Sequence, residues 1–237
     1  MKKTFAALFV AGTLSATPAL AKDFSVEITN LTNGIYFTPL MIAAHSRGAD
    51  VFEPGTPASA NLQAMAEGGD ISGLITELQA IGADIVDNPA GGVLAPGASA
   101  TAMFKYSPHN PRLSVVAMLL PTNDGFVGLD SLEVPKHSGT YTIYLNGYDA
   151  GTEANNEVIN GGGAPGVLGI PADPGGHSGS GAIGVTTSEA NNTVHVHRGV
   201  LGDDDPGGGL SDLDASVHHW LNPVAKVVIT VGRDKRY

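Results

Sequence analysis

Residues 113–134 of the chain read LSVVAMLLPTNDGFVGLDSLEV and hold two apolar runs separated by a short polar segment. The first run, 113–120, is apolar almost throughout, and the second, 126–134, mixes large apolar residues with Gly, Asp and Ser. The Pro, Asn, Asp and Gly residues between them, at 121–125, are residues that favour turns. The pattern therefore predicts two strands joined by a turn.

Short apolar segments bounded by Gly, Pro and Asn recur along the rest of the chain. Residues 24–29 alternate apolar and polar, as a half-buried strand does. Residues 35–43 follow the turn signal Asn33-Gly34, so these two segments are candidates for a hairpin. The other predicted strands are 101–106, 141–148, 193–200 and 225–231. Eight such strands predict an all-β fold, an antiparallel β-sandwich, with 113–120 and 141–148 as central strands.

Two stretches in a long connection have a helical period instead. Apolar residues recur at three- and four-residue steps within 58–66 and 71–81, and glycines follow at 68–69 and 82. These stretches predict two short helices, which we expect to be the only sizeable ones. Residues 160–181 are dominated by Gly, Pro, Ala and Ser, a composition that predicts a surface loop.

Composition limits the class of protein. The 237 residues carry 12 Lys and Arg against 23 Asp and Glu, a net charge of −11, which argues against non-specific nucleic-acid binding. The chain contains no cysteine, which excludes disulfides, thiolate zinc sites and a cysteine nucleophile. Any bound metal must therefore be held by oxygen or imidazole ligands.

The first residues have the pattern of a signal peptide. Lys2 and Lys3 precede an apolar run at 5–14, and Ala19-Leu20-Ala21 has the small-x-small pattern of a cleavage site. We therefore expect cleavage after Ala21, a single domain at 22–237, and a secreted or periplasmic location. The apolar run is too short for a typical membrane span, and we expect no transmembrane segment in the mature chain.

Acidic and amide side chains are concentrated between Asp124 and Glu157. They lie in the turn after the first apolar strand and in the segment 149–157, which reads DAGTEANNE. Calcium takes six to eight oxygen ligands in flexible geometry, and such loops can supply them. The same residues also favour turns through local hydrogen bonds, so the pattern alone leaves both interpretations open.

Three segments together resemble a known family. Residues 113–121 (LSVVAMLLP), 126–132 (FVGLDSL) and 148–153 (YDAGTE) look like the amino-terminal spondin domain of F-spondin and mindin. The opening Phe37-Thr38-Pro39 and the closing segment 222–225 (NPVA) look like the two ends of this domain. The resemblance therefore extends over nearly the whole mature chain.

The resemblance implies a β-sandwich that binds calcium on its loops and serves adhesion. Carried over to this sequence, Asp130, Asp149 and Glu153 match acidic positions of the family and are the expected calcium ligands. The chain lacks the cysteines, thrombospondin repeats and reeler domain of the animal proteins, so the roles of those modules are not transferred. The expected function is an exported, calcium-binding module without catalytic activity, whose extracellular or periplasmic ligand is unidentified.

Histidines provide an alternative metal site. His195 and His197 are two residues apart, which on a strand places both imidazoles on one face. A copper or zinc ion would need a third donor, with His45 as the first candidate and His177 or the pair at 218–219 as others. This alternative describes a periplasmic copper- or zinc-binding protein or a metalloenzyme; the same two histidines can equally be surface residues.

Two other motifs carry less weight. The acidic run 203–205 lacks the ligand spacing of an EF-hand and is predicted to be a solvated loop. Ser180 lies between glycines, but its spacing and its loop context do not match the nucleophile elbow of a hydrolase.

Overall fold

The computed structural model describes residues 23–232, and the predicted signal peptide, 1–21, lies outside the described residues. The described chain is mainly β-structure with three short helices. The strands are β1 (Asp23–Asn30), β2 (Tyr36–Phe37), β3 (Met41–His45), β4 (Asp84–Asp87), β5 (Ser99–Lys105), β6 (Arg112–Leu120), β7 (Gly125–Glu133), β8 (Gly139–Asp149), β9 (His195–Val196) and β10 (Ala225–Val231). The helices are α1 (Ala60–Gly68), α2 (Ser72–Ala80) and α3 (Ala215–His218).

The strands form an antiparallel, nearly closed sandwich. Their hydrogen-bonded order is β4-β3-β6-β7-β8-β10-β1-β5, with β2 paired to β6 and β9 paired to β8. Strand β8 belongs to both halves, because residues 139–145 pair with β10 whereas residues 146–149 pair with β7. The prediction of an all-β sandwich is confirmed, and β6 and β8 are central strands as expected.

Burial on both faces explains the continuous apolar run of β6. Leu113, Val115, Ala117 and Leu119 point into the main core between the two halves of the sandwich. The alternate residues Val116, Met118 and Leu120 pack in a second core, which α1 and α2 cover with Leu62, Met65, Leu74 and Leu78. A strand covered on both faces needs no polar face, which accounts for its sequence.

The two longer helices lie where the helical period predicts them. Ser59 caps α1 by accepting a hydrogen bond from the Leu62 amide, and Gly69 ends it in the left-handed conformation, with φ of 71°. Glycine adopts this conformation without the steric cost of a Cβ atom. No helix within residues 23–232 combines the length and the apolar character that crossing a membrane requires.

Several strand predictions need correction. The proposed hairpin of β1 with the following segment does not form, because β10 and β5 occupy the two edges of β1. The segment 35–43 divides into β2 and β3, and 193–200 contributes only the two residues of β9. Strand β4, which pairs with β3 at the edge of the sheet, has no counterpart among the predicted strands.

The segment 150–224, between β8 and β10, contains little regular structure. Residues 160–181 are all described and contain no helix or strand, as their composition predicts. Buried carboxylates hold this segment in place. Glu157 accepts hydrogen bonds from the amides of Leu201 and Gly202 at 2.6 and 2.8 Å, and from the Ser211 hydroxyl at 2.7 Å.

Candidate metal site

The turn between β6 and β7 meets the carboxyl end of β8. Gly125 is opposite Asp149 in the β7–β8 pair, and the Ala150 amide donates to the Asp124 carbonyl at 3.2 Å. This pairing places Asp124 beside the segment that follows Asp149. The acidic cluster defined here consists of Asp124, Asp149 and Glu153.

All three carboxylates of the acidic cluster are buried. Asp124 is completely inaccessible, and its Oδ2 accepts hydrogen bonds from the Thr152 amide at 2.8 Å and the Glu153 amide at 3.1 Å. The Oδ1 atom of Asp124 is buried without a hydrogen-bond partner. A buried carboxylate oxygen without a partner is costly, and this oxygen is available to coordinate a cation.

Glu153 and Asp149 complete the acidic cluster. The Gly169 amide donates to Glu153 Oε1 at 2.7 Å, while Oε2 is buried without a hydrogen-bond partner. Asp149 accepts from the Gly151 amide at 2.8 Å and from the Asn155 side chain at 2.7 Å. Within residues 23–232, no Lys or Arg forms an ion pair with any of the three acids.

Burial makes the negative charge of the acidic cluster unfavourable. Burial, followed by the nearby charge of Asp149, raises the pKa of Asp124 well above its usual value. Burial also raises the pKa of Asp149, and it raises that of Glu153 to about 7 despite the hydrogen bond from Gly169. A cation would relieve both the repulsion and the desolvation of these groups.

A hard cation with many oxygen ligands fits the acidic cluster better than a small four-coordinate ion. In the described part of the chain, one group of three acidic or histidine residues has ligand atoms all within 4.8 Å of one another, namely Asp173, His177 and His218. The acidic cluster is not within this limit, so its carboxylates are farther apart. Calcium–oxygen distances of about 2.3–2.6 Å allow opposite ligands to be about 5 Å apart. The three carboxylates supply oxygen ligands of the kind that calcium prefers, and the imidazoles of His195 and His197 lie beside Asp149.

Two of the three predicted ligands lie together, and the third does not. Asp149 and Glu153 are in the acidic cluster, whereas Asp130 is on β7, five residues beyond Gly125 and thus about 16 Å along the strand. Its Oδ1 accepts hydrogen bonds from the Val51 amide at 2.7 Å and the Ser114 hydroxyl at 3.1 Å. The structure therefore gives Asp130 a role in fixing the connection after β3, and places Asp124 beside the segment that holds Asp149 and Glu153.

The alternative histidine site is also divided. His45 is buried at the end of β3, opposite Arg112, and its Nε2 lies 2.7 Å from the Ser114 hydroxyl. Arg112 is in turn opposite Glu133, at the other end of β7 from Gly125. His45 is therefore at the opposite end of this strand from Asp149, near which His195 and His197 lie.

His195 and His197 both face Asp149. Their Nε2 atoms lie 3.7 and 4.0 Å from Asp149 Oδ2, respectively. His197 is buried, and its Nδ1 accepts a hydrogen bond from the Gly199 amide at 2.9 Å. Burial, followed by the charges of Arg198 and His195, lowers its pKa to about 3, so this ring is neutral near pH 7. The two histidines therefore lie on one side of the acidic cluster, next to Asp149.

The Ser180 side chain is hydrogen-bonded to a carboxylate of the surrounding loop. Its hydroxyl donates to the Asp212 carboxylate at 2.8 Å, and that carboxylate also accepts from the Ser180 amide at 2.6 Å and the Ile159 amide at 2.7 Å. Asp212 therefore organises the surrounding loop.

The fold and the site define the class of protein: an all-β sandwich with a buried acidic cluster in the loops at one end of β8. The Spondin_N family model matches residues 15–158, more than half of the chain. The chain belongs to the spondin N-terminal domain family, as its motifs predict. The match includes the whole acidic cluster and ends before 222–225, the predicted closing motif. A search of curated protein sequences found no significant match.

The raised pKa of Glu153 predicts an unusual pH dependence of stability in the calcium-free protein. An acid whose pKa is about 7 in the folded state, against 4.5 for the ordinary group, favours folding at low pH, and this contribution is lost as the pH rises through about 7. Because Gln does not ionise, we expect Glu153→Gln to gain stability relative to the parent as the pH rises from 4.5 to about 7. Urea unfolding of both proteins in chelator measures the difference.

His197 has the opposite effect on the pH dependence of stability, and the comparison of the two proteins removes this effect. Its pKa is lowered from 6.5 to about 3, so it reduces stability as the pH falls below 6.5. Both proteins retain His197, and its contribution therefore cancels in the difference between them. A stability difference that stays constant with pH would contradict a raised pKa for Glu153.

Proposed function

We propose that this spondin-type domain is an exported calcium-binding module, with Asp124, Asp149 and Glu153 as the acidic ligands. The observation that carries the proposal is the pair of buried carboxylate oxygens without partners, Asp124 Oδ1 and Glu153 Oε2. The raised pKa values of all three acids support it, because a divalent cation compensates buried negative charge. The family resemblance independently leads to calcium.

Calcium in this position would order a surface for binding. The ligands belong to the turn after β6 and to the segment after β8, which the Asp124 carboxylate already joins through the amides of Thr152 and Glu153. A cation shared by the two segments would fix their relative position and remove the cost of ordering them when a partner binds. The module would then act in adhesion outside the cytoplasm, as the signal sequence and the family suggest, without catalysing a reaction.

Calcium binding can be tested by isothermal titration calorimetry on the full chain after chelator treatment. We expect one calcium ion per chain in the parent protein. Asp124→Asn should weaken calcium binding by about 10-fold or more, because calcium affinity depends on the number of charged ligands. Asp130→Asn is the matched control, an acid-to-amide change in the same β-hairpin, and should leave the affinity unchanged. Equal loss in both variants, or no binding in the parent, would refute the proposed ligands.

A further inference from the structure

A second group of metal-ligating side chains lies outside the part of the chain that matches the family. Asp173 and His177 are at the two ends of one turn, in which the Gly175 amide donates to Asp173 Oδ1 at 2.6 Å and the Gly176 amide to the Asp173 carbonyl at 3.0 Å. His218 is the last residue of α3, 41 positions beyond His177. The fold therefore brings a distant third donor, His218, beside two donors of one turn.

One pair of these donors has the separation expected for two ligands of one ion, and the other pair is hydrogen-bonded. His218 Nε2 lies 3.2 Å from Asp173 Oδ2, and His177 Nδ1 lies 2.5 Å from the same oxygen. One ligand atom from each residue lies within 4.8 Å of the other two. Two ligands at zinc–nitrogen and zinc–oxygen distances in tetrahedral geometry are separated by about 3.3 Å, close to the His218–Asp173 distance.

Burial favours a site that is anchored inside and open on one side. The side chains of Asp173 and His218 are 0% and 1% exposed, whereas that of His177 is 47% exposed. The Nδ1 atom of His218 is buried without a hydrogen-bond partner. The contact of its other ring nitrogen with Asp173 is therefore what compensates the burial of this polar ring. His177 can adjust its position, since it faces solvent.

The charge of the site and its surroundings is suited to a cation. Asp173 supplies a carboxylate to the site, beside two imidazoles. His177 also lines a cavity of about 450 Å³ whose other charged residues are all acidic: Asp203, Asp204, Asp205, Asp212 and Asp214. Such a cavity concentrates cations near its wall.

We propose that Asp173, His177 and His218 bind a divalent transition-metal ion of the zinc class, with a remaining coordination position towards the acidic cavity. Two imidazoles with one carboxylate suit zinc, whereas calcium and magnesium prefer oxygen ligands. The bound ion would join the turn at 173–177 to α3 and thereby fix part of the irregular segment 150–224. This site is independent of the acidic cluster and does not rest on the proposed calcium function.

The test uses the full chain after chelator treatment, with zinc alone as the first probe. We expect one zinc ion per chain by native mass spectrometry and calorimetry, in the presence of excess calcium. Cobalt(II) in place of zinc should give the visible absorption bands of a four-coordinate site. His177→Ala removes a half-exposed side chain together with its hydrogen bond to Asp173, so thermal unfolding of the metal-free variant is measured beside its zinc affinity. The substitution should weaken zinc binding by more than the roughly 10- to 100-fold that loss of an outer-shell partner causes.

Three further variants locate the site. Asp173→Asn should also weaken zinc binding, while His109→Ala, which removes an exposed imidazole elsewhere, should not. Asp124→Asn should keep the zinc affinity of the parent, which separates this site from the calcium proposal. Absence of zinc binding in the parent would overturn the proposal. So would full zinc affinity in His177→Ala and Asp173→Asn, or loss of zinc in His195→Ala instead.

Discussion

Saturating calcium is expected to stabilise the metal-free protein by about 2.7 kcal/mol when its concentration is 100 times the dissociation constant. For a domain of this size, the corresponding rise in melting temperature is about 5 to 10 °C. The physical reason is that, on the proposed assignment, calcium would bind only the folded arrangement of Asp124, Asp149 and Glu153, where it would also remove the repulsion among buried acids. Thermal unfolding followed by circular dichroism, in chelator and in excess calcium, measures the shift.

Variants identify the acids responsible for the calcium shift. Asp149→Ala should abolish it, and Asp124→Asn should reduce it by about half or more, because each removes a charged ligand. Asp204→Ala, in the exposed acidic run, and Asp130→Asn, on β7, should keep the full shift even where they change the melting temperature itself. A parent protein that melts at the same temperature in chelator and in calcium, with no calcium bound, would exclude the proposed site.

Removal of the Glu157 carboxylate is expected to cost on the order of 3 kcal/mol of unfolding free energy. The side chain is 2% exposed and accepts hydrogen bonds from the Leu201 amide, the Gly202 amide and the Ser211 hydroxyl. Glu157→Ala leaves these three donors without an acceptor, and each buried unsatisfied group costs about 1 to 3 kcal/mol. Urea unfolding at neutral pH measures the loss.

Amide hydrogen exchange gives a local measurement of the same effect. The amides of Leu201 and Gly202 should lose protection in Glu157→Ala, because their acceptor is gone. Asp205→Ala is the control in the same loop. Asp205 is exposed and accepts a single hydrogen bond, from the Gly207 amide at 2.9 Å, so its replacement should change stability by less than about 0.5 kcal/mol. Equal stability of Glu157→Ala and the parent would show that the carboxylate does not hold the loop.

The sequence predicts the core strands well because their burial is visible locally. The uninterrupted apolar run of β6 indicates a strand that is covered on both faces, and the alternation in β1 indicates one that is covered on a single face. The hairpin after β1 could not be excluded in this way, because the Asn33-Gly34 signal describes only the turn. The partners of β1 come from the far end of the chain and from β5.

The candidate sites could be predicted only in part, because side-chain positions depend on strand register. Asp149 and Glu153 are four residues apart, and their proximity follows from local sequence. The family resemblance indicated Asp130 as the third ligand, whereas the structure places Asp124 beside them. The choice between Asp130 and Asp124 depends on the pairing of Gly125 with Asp149, which no local pattern specifies. The group of Asp173, His177 and His218 needs the path of a loop that has no periodicity, so the sequence offered only separate histidines as donors.

Strand β8 connects the loop that holds Glu153 to both halves of the sandwich. Its first part pairs with β10 and its last part with β7, so neither half of the sandwich can separate without breaking hydrogen bonds of the same strand. Unfolding is therefore expected to be highly cooperative, with the two halves lost together. Asp149 is the final residue of this shared strand. A cation held there would join the segment after β8 to the turn before β7, so its effect on stability would extend to both halves of the sandwich.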